Sequence, residues 1–222
     1  MKTAVMTVAV GGDWGDILLT SGPTIERYAK KMGSDFIVIR DGKFPTRLHA
    51  YEKLRVRELL DSYDRVVVID ADCIVRKDTP SLLDLVPVGS FGAVIKPPNP
   101  ESERMWIRGI YESHARSLHL PVPNHGDLYF STGVFVCDRG HRGVFSDPPV
   151  YAFAFYEQTY INIRVIEHGV PFFKIPCAFN CWNVVSRGKE AYVLHYTRSC
   201  TKLPTAEYRS LLQKQIDLWE AQ

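Results

Sequence analysis

Asp70 and Asp72 flank Ala71 directly after the apolar run Val66-Val67-Val68-Ile69. In extended chain, residues i and i+2 share a face, so both carboxylates can stand on one side of a strand's carboxyl end. Hard oxygen donors there suit Mg²⁺ or Mn²⁺ carrying a phosphorylated ligand, and open α/β sheets bind ligands at that end of their strands. The competing reading is structural, since acidic residues also end strands at turns. A second polar feature is the loop Val10-Gly11-Gly12-Asp13-Trp14. Glycines let a ligand approach the backbone, an aspartate can accept from it, and an indole offers a stacking face; the alternative is a plain turn before a core tryptophan. Lys53 and Arg57 precede the aspartates and can reach a phosphate, or form an ordinary solvated helix face.

These residues need elements to hold them. Thr3–Val10 reads as a first strand, followed by an amphipathic helix with Ile17, Leu18, Ile25, Tyr28, Ala29 and Met32 at helical spacing and Gly33 at its end. Asp35–Arg40 is a second strand and Leu48–Tyr63 a strong helix. The unalternating β-branched run beginning at Arg65 predicts a strand buried on both faces. This β-α-β-α-β order predicts a mostly parallel central sheet with crossover helices, an α/β fold. Beyond it, Phe91–Ile95, Leu128–Cys137 (interrupted at Ser131-Thr132-Gly133), Pro171–Ile175 and Ala191–Tyr196 read as strands. Glu101–Leu120, Glu157–His168 and a segment from Pro204 through Trp219 read as helices. The Lys96–Pro100 and Leu120–Gly126 loops are either covers over a site or surface loops without a role. No repeat or linker divides the chain, so a single domain over 1–222 is expected, with a nucleotide-binding half over about 1–75 and an acceptor and sugar half over about 76–222.

Composition narrows the class. The chain has 222 residues, 45% of them hydrophobic, and a formal net charge of +2, so no basic field calls for nucleic acid. Five cysteines form no framework spacing, and Cys177-x-x-x-Cys181 lacks the second pair of a structural zinc site. Reduced thiols and the lack of an apolar run of ~18 residues predict a cytoplasmic protein without a membrane span, with a peripheral membrane role left open. The Met1–Val10 segment reads as strand rather than targeting peptide.

Six segments, in order, carry a resemblance. They are Tyr51-Glu52-Lys53-Leu54; Tyr63 through Asp72; Tyr129-Phe130-Ser131-Thr132-Gly133-Val134-Phe135-Val136; Glu157 through Asn162; Ala178-Phe179-Asn180; and Leu194-His195-Tyr196. Together they resemble the GT-A nucleotide-sugar glycosyltransferases of the glycogenin-like family 8 type. The resemblance implies a GT-A, Rossmann-like single domain and metal ligation by Asp70, Asp72 and His195. It implies nucleotide contacts from Val10, Gly11, Asp13 and Trp14, and donor contacts from Lys53, Asp70, Ala71, Asp72 and Gly133. It also implies catalytic roles for Glu157 and Gln158 beside the anomeric carbon. The sequence departs from the pattern after His195, where Arg198 replaces a glycine and Lys202 falls one residue late; these two compete as the diphosphate cation. Ser131-Thr132 stands where Asn-Ala is commoner.

The implied activity is transfer of a sugar from a nucleoside diphosphate sugar, a UDP-sugar foremost, to an acceptor hydroxyl with retention, assisted by Mn²⁺ or Mg²⁺. The acceptor is a glycan, a lipid-linked saccharide, a protein or a small molecule. Alternatives are a sugar-nucleotide pyrophosphorylase, which lacks here its Gly-rich, Arg-containing loop after the first strand; a haloacid-dehalogenase-type phosphatase, whose nucleophile sits on the first strand; and a non-catalytic nucleotide-sugar-binding module.

Overall fold

Residues 1–44, 49–95, 101–117, 128–148, 156–182, 190–198 and 202–221 are described by a computed structural model of the chain. Within 101–117 the side chains of 101–107 and 114 are not described. The covers expected over Lys96–Pro100 and Leu120–Gly126 lie outside the described residues.

The expected alternation of the first half is present as β1 (Thr3–Val8), α1 (Trp14–Lys31), β2 (Asp35–Ile39) and β3 (Arg65–Ile69). Every residue of β3 is buried, as its unalternating pattern requires. A short β4 (Cys73–Val75), α2 (Leu82–Leu85), β5 (Phe91–Ile95), α3 (Glu101–Ser117) and β6 (Phe130–Asp138) follow. The chain continues through α4 (Tyr156–Glu167), β7 (Phe172–Lys174), β8 (Val193–His195) and α5 (Thr205–Glu220). The main sheet has six strands in the order β2-β1-β3-β6-β5-β7, and β4 pairs with β8 in a separate two-stranded sheet. Only β6 runs against its neighbours, which makes the sheet mostly parallel.

One expectation changes. The segment expected as one helix from Leu48 to Tyr63 is a 3₁₀ helix over His49–Arg55 with one α turn over Val56–Leu59. Tyr51, Glu52, Lys53 and Leu54 are consecutively buried, more than one stripe of an α-helix can place inward. Glu52 anchors the segment by accepting from the backbone N–H groups of Lys43 and Phe44, both at 2.7 Å. The expected interruption at Ser131-Thr132-Gly133 is present in the pairing although β6 is one buried strand: its ladder with β3 begins at Val134, and its register with β5 shifts between Phe130 and Phe135.

The start of β3 is clamped by a buried ion pair. Arg65 Nε donates to Asp138 Oδ1 at 2.6 Å, and its other nitrogens donate to the carbonyls of Leu83 (2.8 Å) and Val86 (2.9 Å). Core side chains fill both faces of the sheet, with Tyr51, Phe91, Phe130 and Phe135 on one and Leu18, Ile25, Val67 and Phe179 on the other. The rigid sheet therefore delivers the end of β3 to a fixed place.

Candidate active site

The two aspartates follow β3, but the extended i, i+2 geometry is replaced by a turn. The Cys73 N–H donates to the Asp70 carbonyl at 3.0 Å, closing residues 70–73 before β4 begins. Ser21 on α1 donates to the Ala71 carbonyl at 2.5 Å and holds the turn down. The carboxylates still converge, by way of the turn and the β4–β8 ladder. That ladder sets Cys73 opposite His195, so the histidine distant in sequence arrives beside the aspartates. His195 Nε2 lies 3.2 Å from Asp72 Oδ1 and 3.8 Å from Asp70 Oδ2.

The orientation of this imidazole is determined. Asn180 Nδ2 donates to Ser131 Oγ at 3.1 Å, so its Oδ1 faces His195 Nδ1 at 2.9 Å and accepts from it. Nδ1 then carries a proton and Nε2 faces the carboxylates, the arrangement in which a histidine ligates metal. Burial acts to lower the pKa of His195, but Asp72 and then Asp70 outweigh it and raise it, so the site draws a positive charge to Nε2. Burial also opposes ionisation of Asp72, yet His195, the Arg198 N–H and Lys53 hold its carboxyl below the ordinary range. Two carboxylates and an imidazole freed at Nε2 fit a hard divalent cation with positions left over for phosphate oxygen and water.

Gly133 belongs to the same assembly. A Cβ on it would overlap the His195 ring at Cε1 and Nδ1, so its missing side chain makes room for the imidazole. Its carbonyl accepts from the Asp70 N–H at 2.9 Å, tying β6 to the first carboxylate.

Lys53 reaches the site from the 3₁₀ helix. Its Nζ lies 2.8 Å from Asp70 Oδ1 and 2.8 Å from Glu157 Oε1. Burial alone would lower its pKa; Asp70 and Glu157 more than offset that, so Lys53 stays charged. Glu157 stands in the first turn of α4, where the helix dipole favours an anion, and also accepts from Thr132 Oγ1 at 3.0 Å. Gln158 accepts from the Thr132 N–H (3.3 Å) and donates to the Tyr129 hydroxyl (3.0 Å). Glu157 and Gln158 are thus joined to the aspartate cluster through Lys53 and Thr132.

On the other side, Arg198 donates its backbone N–H to Asp72 Oδ2 at 2.7 Å and its guanidinium to Asp13 Oδ2 at 2.9 Å. Thr205 donates to the same Asp13 oxygen at 2.6 Å. Thr205 and Arg198 both lower the Asp13 pKa against the opposing effect of burial. Asp13 is therefore committed to joining the first loop to the C-terminal segment. Thr197, next to Arg198, has φ of 44°, an uncommon backbone for a β-branched residue and a mark of constraint beside the site.

Other expected residues sit differently. The side chains of Val10 and Ala71 are packed in the core, leaving only their backbones for a ligand. Trp14 is half-buried and packs against two apolar clusters. Lys202 is exposed and makes no ion pair among the described residues. Arg57 lines a cavity of about 130 Å³ with Lys43, Leu54, Glu58 and Asp61 rather than the aspartate cluster.

Sequence reading missed three participants. Asn180 lies in the resembling segment Ala178-Phe179-Asn180, but the resemblance gives it no role there; it orients His195. Thr132 bridges Glu157 and Gln158. His49 packs its ring where a Cβ on Gly11 would fall, and the φ of +71° at Gly11 independently favours glycine; the buried His49 Nδ1 has no hydrogen-bond partner among the described residues.

A family model described as "Glycosyl transferase family 8" matches residues 41–140, which include Lys53, both aspartates and Gly133. No curated protein sequence matches the chain. Among solved structures, a glycosyltransferase involved in glycosylation of the major capsid of PBCV-1 aligns with a TM-score of 0.62 at 14% identity, covering 95% of this chain and 99% of that one. The bifunctional glycosyltransferase WbbM aligns at 0.63 and 14% identity over 100% of this chain and 52% of its own. The galactosyltransferase LgtC, solved with donor and acceptor sugar analogues, aligns at 0.57 and 16% identity over 95% of each. At these identities the structures establish the fold, and the family model matches just under half of the chain. Residues 41–140 thus match family 8 glycosyltransferases, and the chain as a whole takes the GT-A fold of the solved ones, which together support a glycosyltransferase of that type.

Proposed function

We propose that the enzyme transfers a sugar from a UDP-sugar to an acceptor hydroxyl with retention, dependent on Mn²⁺ or Mg²⁺ held by Asp70, Asp72 and His195. The observation that carries the reading is the convergence of His195 Nε2 on both aspartates, with Nδ1 fixed by Asn180. When bound, the cation supplies Lewis-acid stabilisation of charge on the departing diphosphate. The donor and acceptor analogues named for LgtC fit the same division of labour.

The chain's own residues do the rest. Lys53 brings a desolvated ammonium between Asp70 and Glu157, where a preorganised charge stabilises a transition state strongly. Glu157 faces developing positive charge at the anomeric carbon, either as a nucleophile or as an electrostatic partner during same-face attack. Gln158, held by Thr132 and Tyr129, hydrogen-bonds the sugar or its leaving phosphate. The first loop, with Gly11 and His49, receives the nucleotide; Arg198, whose backbone N–H holds Asp72 while its guanidinium binds Asp13, is favoured over the exposed Lys202 as the cation for the diphosphate. In this reading residues of about 1–75 hold the nucleotide and later ones the sugar and acceptor, a glycan, lipid-linked saccharide or small molecule.

The test is a panel of nucleotide sugars assayed for Mn²⁺-dependent hydrolysis and transfer. Asp72→Asn should lower metal-dependent turnover on the order of 100-fold, about 2.7 kcal/mol at 1.36 kcal/mol per decade, while circular dichroism stays unchanged. Undiminished turnover in that variant would reject the scheme. Release of pyrophosphate from a nucleoside triphosphate would favour a pyrophosphorylase instead.

A further inference from the structure

Cys73 is the direct cross-strand partner of His195 in the β4–β8 ladder. Residues opposite one another in an antiparallel pair point to one face, with Cβ atoms roughly 4.5–5.5 Å apart. The thiol is fully buried, and the hydrogen bond from Sγ to the Gly133 carbonyl is long, at 3.9 Å. Donor atoms of Asp72, Cys73 and His195 all lie within 4.8 Å of one another, so a cation gripped by the first and last is in reach of the sulfur after a small adjustment.

The chain therefore carries two overlapping donor sets that share Asp72 and His195. With Asp70 the set is hard and suits Mn²⁺ or Mg²⁺; with Cys73 it is a carboxylate, imidazole and thiolate set with room for a fourth ligand. The latter composition suits zinc, and thiolate selects thiophilic metals over manganese and magnesium. Tyr196 N–H donates to the Asp72 carbonyl at 3.1 Å, and Cys181 O accepts from the His195 N–H at 3.0 Å, so the ladder holds the three residues in register.

We propose that Asp72, Cys73 and His195 form a binding site for a thiophilic divalent cation of the zinc class, which competes with the hard cation for the shared ligands and so inhibits donor turnover. Coordination replaces the S–H bond with a sulfur–metal bond and releases one proton per cation to solvent, with no change of oxidation state. The inhibition rests on the glycosyltransfer reading above; the cation site does not.

The experiment titrates the full chain with Co²⁺, a spectroscopic stand-in for zinc, while calorimetry counts bound metal. The expected result is a near-ultraviolet thiolate-to-cobalt charge-transfer band that saturates at one cation per chain and is bleached by Zn²⁺. It is lost in Cys73→Ser and kept in Cys177→Ser. Cys73→Ser should also lower the ratio of Zn²⁺ to Mn²⁺ affinity at least by the roughly 10–100-fold that loss of an outer partner of a metal ligand costs. The proposal is overturned if cobalt does not bind, binds without the band, or keeps the band in Cys73→Ser. A band in a protein that shows no Mn²⁺-dependent donor turnover upholds the cation site and overturns the glycosyltransfer reading instead.

Discussion

The Nδ1 proton of His195 is accepted by Asn180 at 2.9 Å, and that acceptor is what leaves Nε2 directed at Asp70 and Asp72. Replacing Asn180 with leucine keeps approximate volume but removes the acceptor, so the ring loses its fixed tautomer. We expect Mn²⁺ affinity to fall roughly 10–100-fold, the usual cost of losing a metal ligand's hydrogen-bond partner. Isothermal titration with Mn²⁺ measures this directly, and an unchanged affinity would show that Asn180 only packs. Thr132 and Gly133 act through geometry in the same way, one by bridging Glu157 and Gln158 and the other by leaving space for the imidazole.

Among elements, the first loop and the C-terminal segment meet at Asp13. Arg198 and Thr205 converge on one carboxylate oxygen, and the Arg198 guanidinium lies over the Tyr208 ring at 5.1 Å. The backbone N–H of Arg198 in turn holds Asp72. Asp13→Ala removes the acceptor for a half-buried guanidinium, a loss of about 1.5–3 kcal/mol for hydrogen bonds to charged groups. Faster amide hydrogen exchange in residues 202–210 than in α1 is the expected signature, accompanied by weaker Mn²⁺ binding. Exchange spread evenly over the chain would show instead that Asp13 serves general stability.

The whole molecule should respond to ligand and to pH. Because the proposed cation and nucleotide bind only the folded state, Mn²⁺ with UDP at about 100 times Kd should add about 2.7 kcal/mol. For a chain of this size that is roughly 5–10 °C in Tm, absent in Asp72→Asn, and readable by differential scanning fluorimetry. His141 supplies a pH term. Its Nδ1 accepts from the Asp138 N–H at 3.0 Å while Nε2 faces the Gly89 carbonyl at 3.2 Å, and burial lowers its pKa. The folded state then binds fewer protons than the unfolded one. The stabilisation is complete above the unfolded value of about 6.5 and declines as pH falls through it. The difference in urea midpoint between wild type and His141→Gln should therefore shrink between about pH 7.5 and pH 5, a comparison that cancels the opposite contribution of His195.

How much of this was readable beforehand follows from the range of the interactions. Periodicity and β-branched runs determined the α/β class, strand β3 and the carboxylate pair at its end, because burial on both faces and local backbone preference act over a few residues. Family resemblance, rather than spacing, picked out His195 and Glu157. Sequence could not reveal that residues 49–55 form a 3₁₀ helix turning four consecutive side chains inward, since local helix propensity yields to tertiary packing. Nor could it show that Asp13 is occupied by Arg198 and Thr205, or that Lys53 lies between Asp70 and Glu157, 104 residues apart from the latter. Those partners meet only when the sheet order and the β4–β8 ladder are built. Hydrogen bonds and ion pairs depend on tenths of an ångström between distant segments, so the tertiary structure alone decided which donors and carboxylates share the site.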